Sequence, residues 1–424
     1  MYITFVSNYI NHHQIPFCKA MCAKEGVKFT FIQTEPMEAE RVKMGWTVKD
    51  ALSFVKYYYK EPQKCAELIL KSDVVIFGGT DDESYIKPRL KAGKPVIRCS
   101  ERLYREAQWK AVSPRGLVKK YLDHTRYRKE KVYLLCAGGY VPDDFHIVRA
   151  YPGKMYRWGY FPETRRYDIA ALMSGKGYTG NGALTEGEKR PLYLLWVGRF
   201  MTLKHPELAI HAAGYLKGLG ISFHLDMVGG GAMEEVLKKM IREKGLEKEV
   251  TLTGYKKPEE VRERMEKADI LLATSDRGEG WGAVINEAMN SGCVVIADHM
   301  MGAVPFLIRH RENGLIYEDG NYLQMCRLTA EMAENEQARR RLGVNAYKTI
   351  TQEWNAENAA EKLVELIHSL GLVEEKATAS AQGEKAVKSD KYTGPCSPAP
   401  VIRERKMYQW LCGKEAKSTG CGKC

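Results

Sequence analysis

No stretch of about twenty apolar residues, the length a helix needs to cross a bilayer, occurs anywhere in the 424-residue chain. A transmembrane helix is therefore not expected. A secretory leader is not expected either, because Met1-Tyr2-Ile3-Thr4-Phe5-Val6 runs straight into polar residues. The acidic residues show no metal-ligand spacing: Asp81-Asp82-Glu83 lacks a partner set and reads as a solvated loop. Nor is there a disulfide framework, since most of the 11 cysteines stand singly and Cys18 and Cys22 are one helical turn apart. That usage fits a reducing compartment. The expected location is the cytoplasm, with peripheral contact at the inner membrane face left open. Acid is in shorter supply than base, at 53 Asp and Glu against 65 Lys and Arg.

What is present points to a ligand site. Glu279-Gly280-Trp281-Gly282-Ala283-Val284-Ile285-Asn286-Glu287 follows the apolar run Ile270-Leu271-Leu272-Ala273. The run reads as a buried parallel strand, and Ala283 to Asn290 reads as a helix. Gly280 and Gly282 then occupy a strand-to-helix turn, where unpaired backbone N–H groups at the positive end of the helix stabilise a phosphate or pyrophosphate. Two carboxylates at the same mouth could each hold vicinal hydroxyls. The plainer alternative is a first-turn anion at Glu279 and a solvated face at Glu287.

Neighbouring segments repeat the pattern. Leu192 to Val197 reads as a strand ending in Gly198-Arg199, with Lys204 just before a helix from about His205 to Leu219. Phe223 to Val228 closes on Gly229-Gly230-Gly231, and Val250 to Thr253 on Gly254-Tyr255, with Pro258 opening a helix. Strand and helix alternate, and the special residues all fall at strand carboxyl ends, where doubly wound sheets bind ligands. An arginine offers a forked phosphate donor and a lysine a point charge. The amino-terminal half alternates likewise: strands at Tyr2 to Val6, Lys28 to Ile32, Val74 to Phe77, Pro95 to Arg98, Tyr133 to Cys136 and Lys154 to Tyr156, helices at Ile15 to Lys24 and Pro62 to Leu70.

Gly198-Arg199, Lys204, Gly229 to Gly231, Gly254, Glu279 with seven residues before Glu287, Ser291-Gly292 and Asn313-Gly314 resemble, in that order, the retaining glycosyltransferases of family 4. The resemblance is specific over about 190–365. It implies the GT-B fold, an α/β class with two Rossmann-like doubly wound domains facing across a cleft and a carboxyl-terminal helix crossing back to the first. It further implies that Arg199 and Lys204 bind the donor pyrophosphate, that Glu279 touches the transferred sugar, and that Glu287 holds the nucleotide ribose. The backbone at Gly282, Ala283 and Val284 would meet phosphate and sugar oxygens, beside Gly229 and Gly230, and Tyr255 stands where the base packs. The boundaries that follow are an acceptor domain at 1–175, a glycine-rich linker at 176–189, a donor domain at 190–352, a crossover helix at 353–372 and a flexible tail at 373–424.

One departure concerns a histidine that many members carry after the strand corresponding to Pro95 to Arg98. This chain has Ser100-Glu101-Arg102 there, which makes Glu101 a candidate sugar or acceptor contact. His12 and His13, in the loop after the first strand, are candidate catalytic or binding residues, whereas His124 reads as surface. The implied reaction transfers a sugar from a nucleotide-diphosphate sugar to a glycan or lipid-linked hydroxyl without a metal or further cofactor. Residues 87–131 contain 15 Lys or Arg against 4 Asp or Glu, interleaved with Tyr104, Trp109, Tyr121 and Tyr127. Such a segment draws anionic partners such as an acidic membrane surface, an acidic glycan or nucleic acid, or is simply a solvated basic surface with core aromatics. In the tail, Cys396, Cys412, Cys421 and Cys424 could bind zinc, although no histidine or second close pair supports them. Two other classes stay open: a sugar-nucleotide epimerase or hydrolase of the same fold, and a non-catalytic nucleic-acid-binding protein, which would leave the paired glutamates unexplained.

Overall fold

The computed structural model describes residues 1–38, 52–106, 108–178, 190–373 and 394–413. They divide into two units, Met1–Glu163 with Trp354–Val401, and Thr164–Glu353 with Ile402–Cys424. The first alternates β1 (Tyr2–Ser7), α1 (Ile15–Ala23), β2 (Lys28–Gln33), β3 (Val55–Tyr57), α2 (Pro62–Lys71), β4 (Val74–Gly78), α3 (Lys87–Lys91), β5 (Val96–Ser100), α4 (Pro114–Asp123), β6 (Val132–Ala137), α5 (Val141–Ile147) and β7 (Met155–Trp158). All the strands run parallel in the order β3-β2-β1-β4-β5-β6-β7, with Tyr2 opposite Lys28 and Ile3 opposite Val74. Strands covered on both faces need continuous apolar runs, and β1 and β4 are buried along almost their whole length. Proline opens α1 through α5, at the position where its missing N–H has no helical partner to lose.

The second unit contains α6 (Ile169–Gly175), β8 (Leu192–Val197), α7 (Pro206–Gly218), β9 (Phe223–Val228), α8 (Glu234–Glu243), β10 (Val250–Gly254), α9 (Pro258–Lys267), β11 (Ile270–Ala273), α10 (Ala283–Asn290), β12 (Val294–Asp298), α11 (Val304–Leu307), β13 (Leu315–Tyr317), α12 (Tyr322–Glu334) and α13 (Glu336–Lys348). Its parallel sheet has the order β10-β9-β8-β11-β12-β13. Two later helices follow: α14 (Ala356–Ser369), which packs on α1 in the first unit, and α15 (Glu404–Cys412), which belongs to the second. Trp354, at the start of the return to the first unit, is buried with its ring stacked 6.2 Å from that of Phe161. No helix among the described residues is long and apolar enough to cross a membrane.

The structure departs from the expected boundaries. Division falls at Thr164 rather than at 175, because the segment after it is sewn to the second unit. The Arg165 N–H donates to Asn290 Oδ1 at 2.8 Å, Tyr167 Oη donates to Glu266 at 2.6 Å, and buried Lys176 donates to the Met265 carbonyl at 2.8 Å. Both flanks of the glycine-rich stretch converge on buried Asp269, which accepts from Tyr178 at 2.6 Å and from Arg190 at 2.6 and 2.9 Å. Gly180, Gly182 and Gly187 lie outside the described residues.

The tail expected to be flexible is ordered over 394–413. As a sheet edge, β7 presents unpaired backbone groups, and the chain around Pro398 takes them up antiparallel. Arg157 donates to the Ser397 carbonyl at 2.8 Å and accepts from Cys396 at 2.8 Å, and the Ala399 N–H reaches the Met155 carbonyl at 3.0 Å. Further on, α15 buries Met407, Tyr408, Leu411 and Cys412, the one-sided spacing of an amphipathic helix. Cys396 is thus buried beside β7 and Cys412 on α15, while Cys421 and Cys424 lie outside the described residues.

Two local readings are corrected as well. Glu83 is not solvated: it holds Arg98 in a two-pronged pair at 2.6 and 2.7 Å, with Arg98 almost fully buried. His124 is not a surface residue either, since the chain folds back after α4. Its Nδ1 lies 2.7 Å from Tyr151 Oη and its ring packs on Phe145, so that burial and the nearby Arg98 charge hold it well below the usual histidine pKa.

Candidate active site

The order of the second sheet places β8 between β9 and β11, so the chain winds outward in opposite directions from that point. The carboxyl ends of β8 and β11 therefore flank the switch point, the position at which sheets of this kind bind ligands. Lys204, after β8, and Glu279, after β11, meet there as a part-buried ion pair. Their loops are fixed by polar contacts. Buried Trp196 donates to Thr274 Oγ1 at 2.8 Å, Thr274 donates to the Lys204 carbonyl at 2.7 Å, and the Asp276 N–H reaches the Leu203 carbonyl at 3.0 Å.

His205 adopts a left-handed backbone with φ 45°, which costs a non-glycine residue about 1–2 kcal/mol. Its ring lies between Glu207 at 2.8 Å and Asp276 at 3.2 Å. The hydrogen bond to Glu207, helped by Asp276, raises its pKa to about 9, so it is cationic at neutral pH. Two cations, His205 and Lys204, thus stand side by side at the end of β8.

The ends of β8, β9 and β10 are stitched together through glycine. Gly229 has φ 144°, and a Cβ there would sit 1.8 Å from the Gly198 carbonyl oxygen. Only glycine fits that approach. The Gly229 N–H donates to the Gly254 carbonyl at 3.0 Å, and the Phe200 N–H to the Gly230 carbonyl at 2.8 Å. Tyr255 also donates to the Gly230 carbonyl, at 2.9 Å, and lays its otherwise exposed ring against that residue. Arg199 projects from this surface, exposed, its guanidinium without a hydrogen-bond or ion-pair partner among the described residues.

Beyond Glu279 the chain turns through Gly282, whose φ of 93° caps α10. The N–H groups of Ala283 and Val284, in the first helical turn, have no acceptor among the described residues. Trp281 secures the turn, buried, donating to Asn286 Oδ1 at 2.8 Å while its carbonyl accepts from Ala303 at 2.9 Å. Glu287 lies four residues past Ala283. Burial raises its carboxyl pKa, against a smaller opposing pull from Arg262 and Arg165. No hydrogen-bond donor from the described residues satisfies it, so it is disposed to accept from hydroxyl groups.

In the first unit, Glu101, His12 and His13 come together at strand carboxyl ends. The rings of His12 and His13 are 3.8 Å apart, and His13 stacks on Tyr160 at 6.3 Å. Tyr160 donates to Glu101, which also pairs with Arg105. Burial, with a contribution from His12, pushes the His13 pKa down to about 3, so the ring is neutral at physiological pH.

Residues 185–349 match the family described as glycosyl transferases group 1. Over that segment the chain is similar to a group 1 glycosyltransferase domain. Every donor-side candidate, from Arg199 through Glu287, lies within it. Among curated relatives, it is 29% identical over 195 residues to the amylovoran biosynthesis glycosyltransferase AmsK of Erwinia amylovora, covering 45% of this chain and 48% of that one. It is 27% identical over 176 residues to a poly(ribitol-phosphate) alpha-N-acetylglucosaminyltransferase of Staphylococcus aureus, covering 41% and 34%. The chain therefore spans about half the length, or less, of these relatives. Among solved structures, Anabaena HepE in complex with UDP aligns over 87% of this chain and all of that one, with TM-score 0.62 and 15% identity. Sucrose-phosphate synthase from Thermosynechococcus elongatus aligns over 88% and 99%, with TM-score 0.58 and 14% identity. These likenesses establish the GT-B fold, two parallel-sheet Rossmann-like domains.

Within the matched segment, Arg199 and Lys204 follow the carboxyl end of β8, Gly229 and Gly230 that of β9, Tyr255 that of β10 and Glu279 that of β11. Asp276, His205, Glu207 and Thr274 were not singled out by the sequence. The available signal was His205-Pro206 at a helix start and Asp276 in the loop after an apolar strand.

Proposed function

We propose that the protein is a retaining glycosyltransferase, moving a sugar from a nucleotide-diphosphate sugar to a hydroxyl of a glycan or lipid-linked acceptor without a metal ion. The observation that carries this reading is the meeting of Lys204 and Glu279 at the switch point of the sheet, beside the unpaired N–H groups that open α10. Arg199, Lys204 and those N–H groups would receive the diphosphate and stabilise it as it leaves, the largest contribution expected of such a site. Glu279 would accept from a hydroxyl of the transferred sugar, Glu287 from the ribose diol, and Tyr255 would pack on the base. The acceptor hydroxyl attacks the anomeric carbon on the face the nucleotide leaves, and the departing phosphate oxygen takes its proton. The old glycosidic bond breaks as the new one forms, the configuration is retained, and rate comes chiefly from positioning.

A polyhydroxylated acceptor has support in the relatives, one named for amylovoran biosynthesis and one for transfer to poly(ribitol-phosphate). The cluster of Glu101, His13 and Tyr160 would position it. Because His13 stays neutral, it serves there as a hydrogen-bonding group rather than as an acid. The test is a screen of nucleotide sugars for saturable binding and donor hydrolysis, with and without chelator. Wild-type protein should select one donor class, Glu287→Ala should lose it, and chelator should leave turnover unchanged. A flat screen would overturn the assignment, and chelator-abolished activity restored by magnesium would overturn the metal-free part.

A further inference from the structure

The basic excess over 87–131 is partly internal. Arg89 is wholly buried and donates to the backbone carbonyls of Ile69, Ser72, Asp73 and Pro95, and Arg98 and Arg102 are buried beside acids. Tyr104 is buried too. The exposed remainder includes Arg115 and Lys119 on α4 and Arg126, Arg128, Lys129 and Lys131 just after it.

That helix is built inside out. An ordinary surface helix turns its apolar stripe toward the core, yet none of the residues of α4 is buried. Leu117, Val118, Tyr121 and Leu122, spaced as one helical face, are 44%, 59%, 56% and 44% exposed, and Trp109 and Val112 just before are 71% and 74% exposed. The side toward the domain carries polar groups instead. Lys120 is half-buried, its pKa lowered by that burial, and the Asp123 carbonyl accepts from Arg98 at 2.7 Å. Exposed Arg115 and Lys119 sit among the outward apolar residues, and exposed Arg126, Arg128, Lys129 and Lys131 follow.

We propose that α4 and Trp109 form a membrane-docking face that lays its apolar stripe into the headgroup region of an anionic bilayer. An outward apolar helix face rimmed by cations is the composition of an interfacial helix: the apolar groups supply insertion, and the basic groups supply attraction to acidic lipid. Trp109 and Tyr121 suit the boundary, their rings apolar at one end and polar at the other. A protein partner would account for the apolar stripe but leave the surrounding positive charge without a counterpart. The inference rests on the lipid-linked branch of the acceptor reading, and it names the surface from which such an acceptor would be reached.

The experiment is flotation of the full-length protein with phosphatidylcholine vesicles, with and without phosphatidylglycerol, at low and high salt. Wild type should float with the anionic vesicles, less so at high salt, and weakly with neutral ones. Leu117→Asp with Val118→Asp should reduce partitioning by on the order of tenfold or more, because two inserting side chains are replaced by charges that acidic lipid repels. Both positions are solvent-exposed, so the thermal midpoint and nucleotide-sugar binding should hold. Wild type that ignores anionic vesicles, or a double variant that floats equally well, overturns the proposal. So does a wild-type dimer that the double variant splits without changing flotation. Donor binding measured on the same preparations keeps the two readings apart: lost donor binding with intact flotation counts against the glycosyltransferase reading alone.

Discussion

Replacing Glu287 with glutamine should move stability and donor affinity in opposite directions. In the folded protein this carboxyl is pushed up by burial and has no hydrogen-bond donor among the described residues, so its charge opposes folding once the pH passes the group's unfolded value. Glu287→Gln removes that charge without changing shape, and the thermal midpoint at pH 7 should hold or rise. Donor binding should fall. A carboxylate accepting two ribose hydroxyls makes charge-assisted bonds of about 1.5–3 kcal/mol each, and an amide offers one neutral acceptor oxygen. A net loss of about 2 kcal/mol corresponds to roughly 30-fold in the donor dissociation constant. Calorimetric titration with the selected nucleotide sugar, beside a melting curve, measures both. A lower melting point with unchanged donor affinity would show Glu287 to be a structural residue and refute the reasoning.

Three further outcomes are expected. Lys204→Ala strips Glu279 of its partner, which should lower stability by about 1–3 kcal/mol and, if Lys204 stabilises the leaving diphosphate, lower kcat/KM by about 100-fold or more; unchanged steady-state kinetics would remove it from the donor site. His205, raised to about 9, contributes stability that is whole below its unfolded value near 6.5 and is lost as the pH rises through 9. Wild-type melting should therefore decline across that window, and His205→Gln should flatten the slope. Gly229→Ala forces a Cβ to within 1.8 Å of the Gly198 carbonyl at a φ of 144°, at a cost of about 3 kcal/mol or more. A melting point within a degree or two of wild type would show that the β8 and β9 ends can move apart.

Much of the fold could be read from the chain because parallel sheets impose a coarse pattern. Strands buried on both faces must be apolar throughout, and Ile270 to Ala273 or Val74 to Phe77 can hardly be read otherwise. What escaped was set by partners distant in sequence. Residues 394–401 are ordered because β7 has a bare edge, a fact of topology rather than of local composition. Residues 164–178 belong with the second unit because Asn290, Glu266, Met265 and Asp269 capture them, and none of those bonds leaves a mark on the intervening glycine-rich sequence. Glu83 looked solvated because its partner, Arg98, lies on another strand.

The site divides along the same physical line. Residues chosen for backbone reasons were visible: a glycine that must take φ 93° at a helix start, or one pressed against another chain segment, cannot be anything else, and Gly282 and Gly229 mark their loops at any distance from their neighbours. Residues that act by charge were visible only where the glycines framed them, as with Glu279 and Glu287. His205 shows what that leaves out. Its pKa is raised first by Glu207, two residues on at the start of α7, and then by Asp276, on a loop 71 residues away, and only the first of these partners is local in sequence. The glycine frame thus locates an anion site, while the field inside it is set by side chains that meet only on folding. The pH response of His205 therefore tests whether that field is assembled on folding, whereas the kinetics of Lys204→Ala test whether it serves a diphosphate.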